Sequence, residues 1–293
     1  MKIEQNVPLS SMTTFKLGGM ARFFIAPASV DEIRESLQWA KNEKLEVFVF
    51  GKGSNLVISD KGFDGLVINI GKAISHINWE GPHIQAGAGV LLNSLVQQTV
   101  ARGFTGIERL AGIPGSLGGG VFMNAGAFGQ ELDQVVTSVR SCTFDGEFVT
   151  RTADECCFGY RKSVFNTVKE VILEIEIDLA SGNKNDLEMM VSEYLKRRKE
   201  KQPLSFPNAG SMFKRPVVGF AGAMIEEAGL KGSSIGGAAI SQQHANFIIN
   251  TGNATAQDVY DLSEDVLQTV SEFCGIKMEK EVRFIGDFLP WPR

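Results

Sequence analysis

The sequence predicts an α+β protein of more than one domain, and three observations point there. Helical and strand-like hydrophobic patterns are intermixed without a regular βαβ alternation. At 293 residues the chain is long enough to bury two or three cores. A polar linker, Ser181–Asp186, divides a strand-rich region from a helix-rich one.

The first block, residues 1–71, reads strand, helix, strand, loop, strand. Ala21–Ala26 is a strand, and Ser29 with Glu32 forms a capping box that opens a helix running to about Lys44. Glu46–Phe50 is a buried strand, followed by the loop Gly51–Asn55 and the strand Gly65–Ile70. The second block, residues 72–180, carries a helix over Leu91–Arg102 that stops at Gly103. Its strands are Val135–Phe144, Glu147–Thr152 and Glu170–Leu179, with Asp145-Gly146 as the hairpin turn. A third block, residues 187–280, begins on a helix from about Asp186 to Lys201. It continues with a helix near Phe220–Ala228, short strands near Ala238–Ile240 and Asn246–Asn250, and a helix over Thr255–Cys274. Residues 281–293 form a last strand, Glu281–Gly286, and a Pro-rich tail.

Composition narrows the function. Apolar content of 43% and charged content of 22% are ordinary globular values. No run of 18 apolar residues occurs, and the first residues lack a signal-peptide pattern, so neither a membrane span nor export is expected. Four cysteines without CxxC spacing read as reduced thiols of a cytoplasmic protein, with Cys156-Cys157 as core packing. A net charge of −5 argues against nucleic-acid binding. The basic run Lys196–Lys201 reads as a solvated helix face, or else as an anchor for a diphosphate. His76, His83 and His244 are scattered, and no metal site is expected.

Chemistry is most legible in Leu110–Gly129, which holds seven glycines in a nearly apolar run. Glycine at that density costs backbone entropy, and its use is close approach of bare amides to a flat or phosphorylated ligand. The loop Gly51-Lys52-Gly53-Ser54-Asn55 is a second candidate, although it is neither a Rossmann fingerprint nor a Walker loop. Together the two suggest a dinucleotide held outside a Rossmann fold. Gly232–Gly236 spells GxSxG, but a helix precedes it and no helix follows, which excludes a nucleophile elbow. Arg161 lies among the aromatic residues of Phe158–Phe165, where a guanidinium is held and can grip a carboxylate. Ser211 lies in Pro207–Pro216 and reads as exposed on a rigid loop, with Lys214 and Arg215 close by.

Nine fragments in order resemble one family. They are TTFKLGG, GKGSNL, GAG at 87–89, GIPGSLGGGVFMNAGAFG, FGYRKSVF, PNAGSMFKRP, EEAGLKG, SQQHANFIIN and EVRFIG. The chain resembles the UDP-N-acetylenolpyruvoylglucosamine reductases, flavoenzymes of peptidoglycan precursor synthesis. The resemblance implies a vanillyl-alcohol-oxidase-type FAD-binding fold in two subdomains, a C-terminal α/β substrate domain, and a tail that returns to the active site. It implies non-covalent FAD, NADPH as reductant, a UDP-sugar substrate, a cytoplasmic monomer and no metal. Arg161, Ser211 and Glu281 match the family's catalytic positions. The implied flavin cradle is Gly51, Lys52, Gly53, Ser54, Asn55, Leu56, Ile113, Pro114, Gly115, Ser116, Gly118, Gly119, Asn124, Ala125 and Gly126, with Arg283. Tyr160, Lys201, Lys214 and Arg215 are the implied substrate contacts.

The chain departs from many members at Arg215, where they have Asn, and at Phe128, where they have Tyr. The interval from Arg161 to Ser211 leaves no room for the loop that one subgroup folds over the substrate, so the shorter subgroup is implied and Tyr194 is given no role. Two other readings remain at this point. A related flavin oxidase would often carry a His or Cys for covalent attachment, and the glycine block has neither. A nucleotide-binding module without catalysis would not need Arg161, Ser211 and Glu281 to act together.

Overall fold

The structure, a computed structural model, describes residues 1–71 and 74–291. The expected boundary at Lys72 and the last two residues of the tail lie outside the described residues. The chain groups into two compact units. Unit 1 comprises Met1–Glu4, Phe23–Lys52 and Gly65–Arg198; unit 2 comprises Gln5–Arg22, Gly53–Asp64 and Lys199–Arg293. This grouping differs from the consecutive blocks drawn on the sequence, because two early segments belong with the C-terminal region.

In unit 1, α1 (Val30–Asn42) starts where Ser29 accepts a hydrogen bond from the Glu32 N–H at 3.2 Å. The reciprocal bond runs from the Ala28 N–H to Glu32 at 2.8 Å, one residue earlier than a capping box requires. Its apolar stripe buries Ile33, Leu37 and Ala40. The strand Glu46–Phe50 has the expected bounds and pairs in parallel with Phe63–Asn69, from Glu46↔Gly65 to Phe50↔Asn69.

The larger sheet of unit 1 is antiparallel. Its order is Phe148–Thr152, Val136–Thr143, Glu170–Asp178, His83–Gly87 and Ile77–Glu80. Buried Ile175 and Ile177 alternate with the half-buried Glu174 and Glu176, and a register shift opposite Arg140–Ser141 breaks that alternation, so Val171, Ile172 and Leu173 are buried in succession. The Asp145-Gly146 turn is longer than two residues: Thr143 accepts from Gly146 and donates to Glu147, and Gly146 takes φ +90°. That is a three-residue hairpin loop whose last position demands glycine. Helix α3 (Leu117–Phe122) packs on the Glu170–Asp178 and His83–Gly87 strands, α2 (Leu92–Ala101) buries Leu92, Leu95 and Val96 in the same core, and α4 (Lys184–Lys201) follows the Ala180–Ser181 strand. Helix α4 therefore starts inside the segment read as a linker.

Unit 2 has its own core around Phe213, Ile225, Val259, Leu262 and Val266. Helix α5 (Ala221–Glu227) and helix α6 (Ala256–Cys274) accompany a three-stranded sheet of Ser234–Ile235, Ala238–Ile240 and Ile248–Asn250. Thr255 and Asp258 make the capping box of α6, and Asp60 accepts from the Ala256 and Gln257 N–H groups at 3.0 Å each. A carboxylate on the first free amides of a long helix is favoured by both hydrogen bonding and the helix dipole. Ser234 lies on a strand paired with Ala239, away from any strand-to-helix elbow.

Candidate active site

Within unit 1, Gly51 meets the glycine block at Ser116. A Cβ added to Gly51 would fall 2.1 Å from the Ser116 hydroxyl oxygen, so only glycine lets these backbones approach. Ser116 caps α3 by accepting from the Gly119 N–H at 3.3 Å. The glycines of the block then divide by function. Gly118 and Gly120 are pressed into the fold, where a Cβ would meet Ala88 and Leu132 at 2.7 and 2.8 Å. Gly119 is exposed, with nothing but Ser116 within 4 Å of its notional Cβ.

Several amides read as bare from the sequence are engaged within the fold. The Gly118 N–H donates to Ala88, the Ile113 N–H to Leu110 and the Ala125 N–H to Gly120. The Asn124 side chain is fully buried and reaches Glu131, Gly159 and Asp133. What stays uncovered is Lys52, Pro114 and Gly119, with Gly51, Ile113 and Gly115 half-buried. That bare backbone, narrowed at Gly51 and Ser116, fits a flat dinucleotide such as FAD.

Arg161 is held, as expected. One guanidinium nitrogen donates to the Gly126 carbonyl at 3.0 Å, and the other lies 3.7 Å from the Glu131 carboxylate. Tyr160 places its ring 5.0 Å from the guanidinium carbon. Glu131 was not singled out by the sequence. Burial and the nearby Asp133 push its carboxyl above the ordinary range, and Arg161 pulls it back. The basic run also needs correction, because Arg198 is buried and donates through Nε to the Ala111 carbonyl at 2.8 Å. Burial lowers its pKa. Its neighbours Lys196, Arg197, Lys199 and Lys201 are exposed, so the solvated-face reading holds for them alone.

In unit 2 the structure brings Ser211 and Glu281 onto adjoining chains. The Glu281 N–H donates to the Met212 carbonyl at 2.8 Å, and the Lys214 N–H donates to the Glu279 carbonyl at 2.9 Å. Asn246 straps the same loop, accepting from the Phe213 N–H at 3.0 Å and donating to the Phe213 carbonyl at 2.9 Å. Ser211 is consequently half-buried, where the sequence suggested exposure. Asn55 donates to the Glu281 carbonyl at 3.2 Å and accepts from the Arg283 N–H at 3.1 Å. The neighbouring strands Leu56–Ile58 and Arg283–Ile285 pair in parallel, which buries Leu56. Gly53, at φ +65°, lies 2.5 Å by its notional Cβ from the Met12 carbonyl, and Ser54 is half-buried beside it.

Two expected helpers already have partners within the fold. Lys214 pairs with Glu279 at 2.9 Å, and Arg215 lies 4.4 Å over the Phe220 ring. Asn246, which straps the Ser211 loop, was not singled out by the sequence, although it sits in the SQQHANFIIN fragment. Among the described residues no cluster of His, Cys, Asp or Glu could hold a metal, and no helix is long and apolar enough to cross a membrane.

Known proteins resemble this chain over nearly its whole length. A family model described as an FAD binding domain matches residues 21–152, and one described as the C-terminal domain of UDP-N-acetylenolpyruvoylglucosamine reductase matches residues 202–285. The reductase from Syntrophomonas wolfei is 40% identical over 98% of this chain and 96% of its own. A second reductase from Bacillus cereus is 40% identical over 97% of this chain and 93% of its own. The crystal structure of the reductase from Thermus caldophilus superimposes with a TM-score of 0.80 at 32% identity, over 98% of this chain and 100% of that one. With this coverage from end to end, the chain belongs to the UDP-N-acetylenolpyruvoylglucosamine reductase family.

Proposed function

We infer that this chain is an FAD-dependent oxidoreductase that reduces the enolpyruvyl ether of UDP-N-acetylglucosamine to UDP-N-acetylmuramate at the expense of NADPH, in peptidoglycan precursor synthesis. Its family membership over nearly the whole chain supports the activity. The observation that supports the division of roles is the bond from the Glu281 N–H to the Met212 carbonyl, which holds the Ser211 and Glu281 segments on adjoining chains.

Gly51, Lys52, Gly115, Ser116 and Gly119 are the residues that would hold FAD, and Gly53, Ser54, Asn55 and Arg283 are further proposed cofactor contacts. When bound and reduced by NADPH, FAD supplies the hydride. Hydride addition to the vinyl CH2 carbon leaves negative charge on the adjacent carbon and its carboxylate. Arg161 opposes that charge with a guanidinium whose direction is already fixed. Glu281, in its protonated form, donates a hydrogen bond to the same developing enediolate. Ser211 gives its hydroxyl proton to the carbanionic carbon, which is basic enough to take it. Lys214 is paired with Glu279, so it is not offered as the group that settles the resulting alkoxide. Tyr160 and Lys201 are proposed substrate contacts, as is Arg215. The protein is further proposed to act as a cytoplasmic monomer without nucleic-acid partners.

Purified protein should be yellow, release FAD on denaturation and bleach with NADPH under anaerobic conditions. Adding the enolpyruvyl UDP-sugar should restore the colour. Protein that cannot be reconstituted with FAD, or that bleaches but is not reoxidised by this substrate, refutes the reading.

A further inference from the structure

We propose that Glu131 is a positioning residue for Arg161, fixing the direction of its guanidinium. The proposal rests on the role given to Arg161 above. Gly126 and Glu131 face each other across a short hairpin, with pairs Gln130↔Ala127 and Glu131↔Gly126. Two groups that hold Arg161 therefore come from one rung of that hairpin: the Gly126 carbonyl at 3.0 Å and the Glu131 carboxylate at 3.7 Å. Gly126 has to be glycine for this rung to exist, since a Cβ there would fall 2.5 Å from the Glu131 Cγ.

The carboxylate is itself held. Asn124 Nδ2 donates to the other Glu131 oxygen at 3.1 Å, and also to the Gly159 carbonyl at 3.3 Å, two residues before Arg161. Asn124 Oδ1 accepts from the Asp133 N–H at 3.0 Å, which closes the arrangement from the far side of the hairpin. One buried amide thus ties the hairpin carboxylate to the segment that carries Arg161.

Backbone strain collects at the same place. Asn124, Phe128 and Arg161 all adopt left-handed conformations, with φ of +42°, +52° and +55°. Phe128 does so as the first central residue of the two-residue turn that closes the hairpin, and Arg161 does so in the turn closed by two backbone bonds between Gly159 and Lys162; a side chain other than Gly or Asn bears a cost at both positions. A half-buried carboxylate beside Asp133 is also a costly choice for mere packing. Aiming a cation accounts for both costs.

The test separates the half-reactions by anaerobic stopped flow. Glu131→Gln should keep its FAD content and its rate of flavin reduction by NADPH, while reoxidation by the enolpyruvyl UDP-sugar slows by about 10- to 100-fold, as expected for a displaced catalytic group. Glu131→Asp retains the charge on a shorter arm and should recover part of that loss. A purely structural role would lower both half-reactions and FAD content together, with no recovery in Glu131→Asp. That pattern, or wild-type reoxidation in both variants, overturns the proposal. Arg161→Lys is the control: if it reoxidises at the wild-type rate, the role of Arg161 itself fails, independently of Glu131.

Discussion

The Glu281 N–H donates to the Met212 carbonyl at 2.8 Å, so Ser211 and Glu281 are held on adjoining, hydrogen-bonded chains. The bond matters because both residues are proposed to act on the same small substrate. Asn246 clamps the Ser211 loop from its other side through two bonds to Phe213. Neither side chain relies on a free loop for its position, which is how a catalytic group keeps its geometry between turnovers.

Ser211→Ala removes the proposed proton donor without disturbing those backbone bonds. Flavin reduction by NADPH should proceed near the wild-type rate, while turnover of the enolpyruvyl substrate falls by about 10²- to 10⁴-fold, the usual contribution of a positioned acid. Equal losses in both half-reactions would show that Ser211 is not the donor.

Gly51→Ala addresses the cradle. The added methyl would lie 2.1 Å from the Ser116 oxygen and 2.9 Å from its Cβ, so Ser116 must move out of its capping position on α3. Loss of such a cap costs about 1 kcal/mol. The expected result is a modest fall in melting temperature and a larger fall in FAD affinity, read by flavin fluorescence on dilution. Unchanged FAD affinity would separate the Gly51 contact from the cofactor site.

Long elements were legible because their signals are local. Ser29 announces α1, Thr255 announces α6, and the apolar run Glu46–Phe50 is found at its expected bounds. Some strands of two or three residues, such as Leu56–Ile58 and Ala180–Ser181, show no period and lie outside the expected elements, whereas Ala238–Ile240 is found at its expected bounds. The membership of Gln5–Arg22 and Gly53–Asp64 in unit 2 depends on pairings far apart in sequence, for example Arg283↔Leu56. At the site, residue types pointed to Arg161 and the glycines. They could not separate Gly118, packed on Ala88, from the open Gly119, nor reveal Glu131, whose importance comes from a hairpin register.

The four thiols should divide cleanly. Cys142 and Cys156 are buried, while Cys157 and Cys274 are exposed. Burial raises the Cys142 pKa and pushes Cys156 up to about 11, so neither offers thiolate near neutral pH. Native protein should react with two equivalents of a thiol reagent and denatured protein with four. Rapid labelling of Cys156 in the native state, located by peptide mapping, would contradict its buried placement.

Glu108 should make a measurable contribution to acid sensitivity. Its carboxylate is buried; burial pushes its pKa up, but hydrogen bonds outweigh that effect and leave it below the ordinary value. The donors include the Gly106 N–H at 2.7 Å, the Thr105 hydroxyl at 3.1 Å and the Gln130 amide at 3.5 Å. A depressed folded pKa means the folded state binds its proton less readily than the unfolded chain does. The associated stability is fully present above the unfolded carboxyl range, at about pH 4.3, and is lost as pH falls through the lower folded value. Glu108→Gln should therefore be less stable than wild type by about 1–3 kcal/mol at neutral pH, the cost of weakening a buried charged hydrogen-bond set. The gap should narrow as the medium is acidified from pH 5 towards pH 3, measured by urea unfolding at each pH. A gap independent of pH would mean that ionisation of Glu108 is not what holds the Gly106 turn.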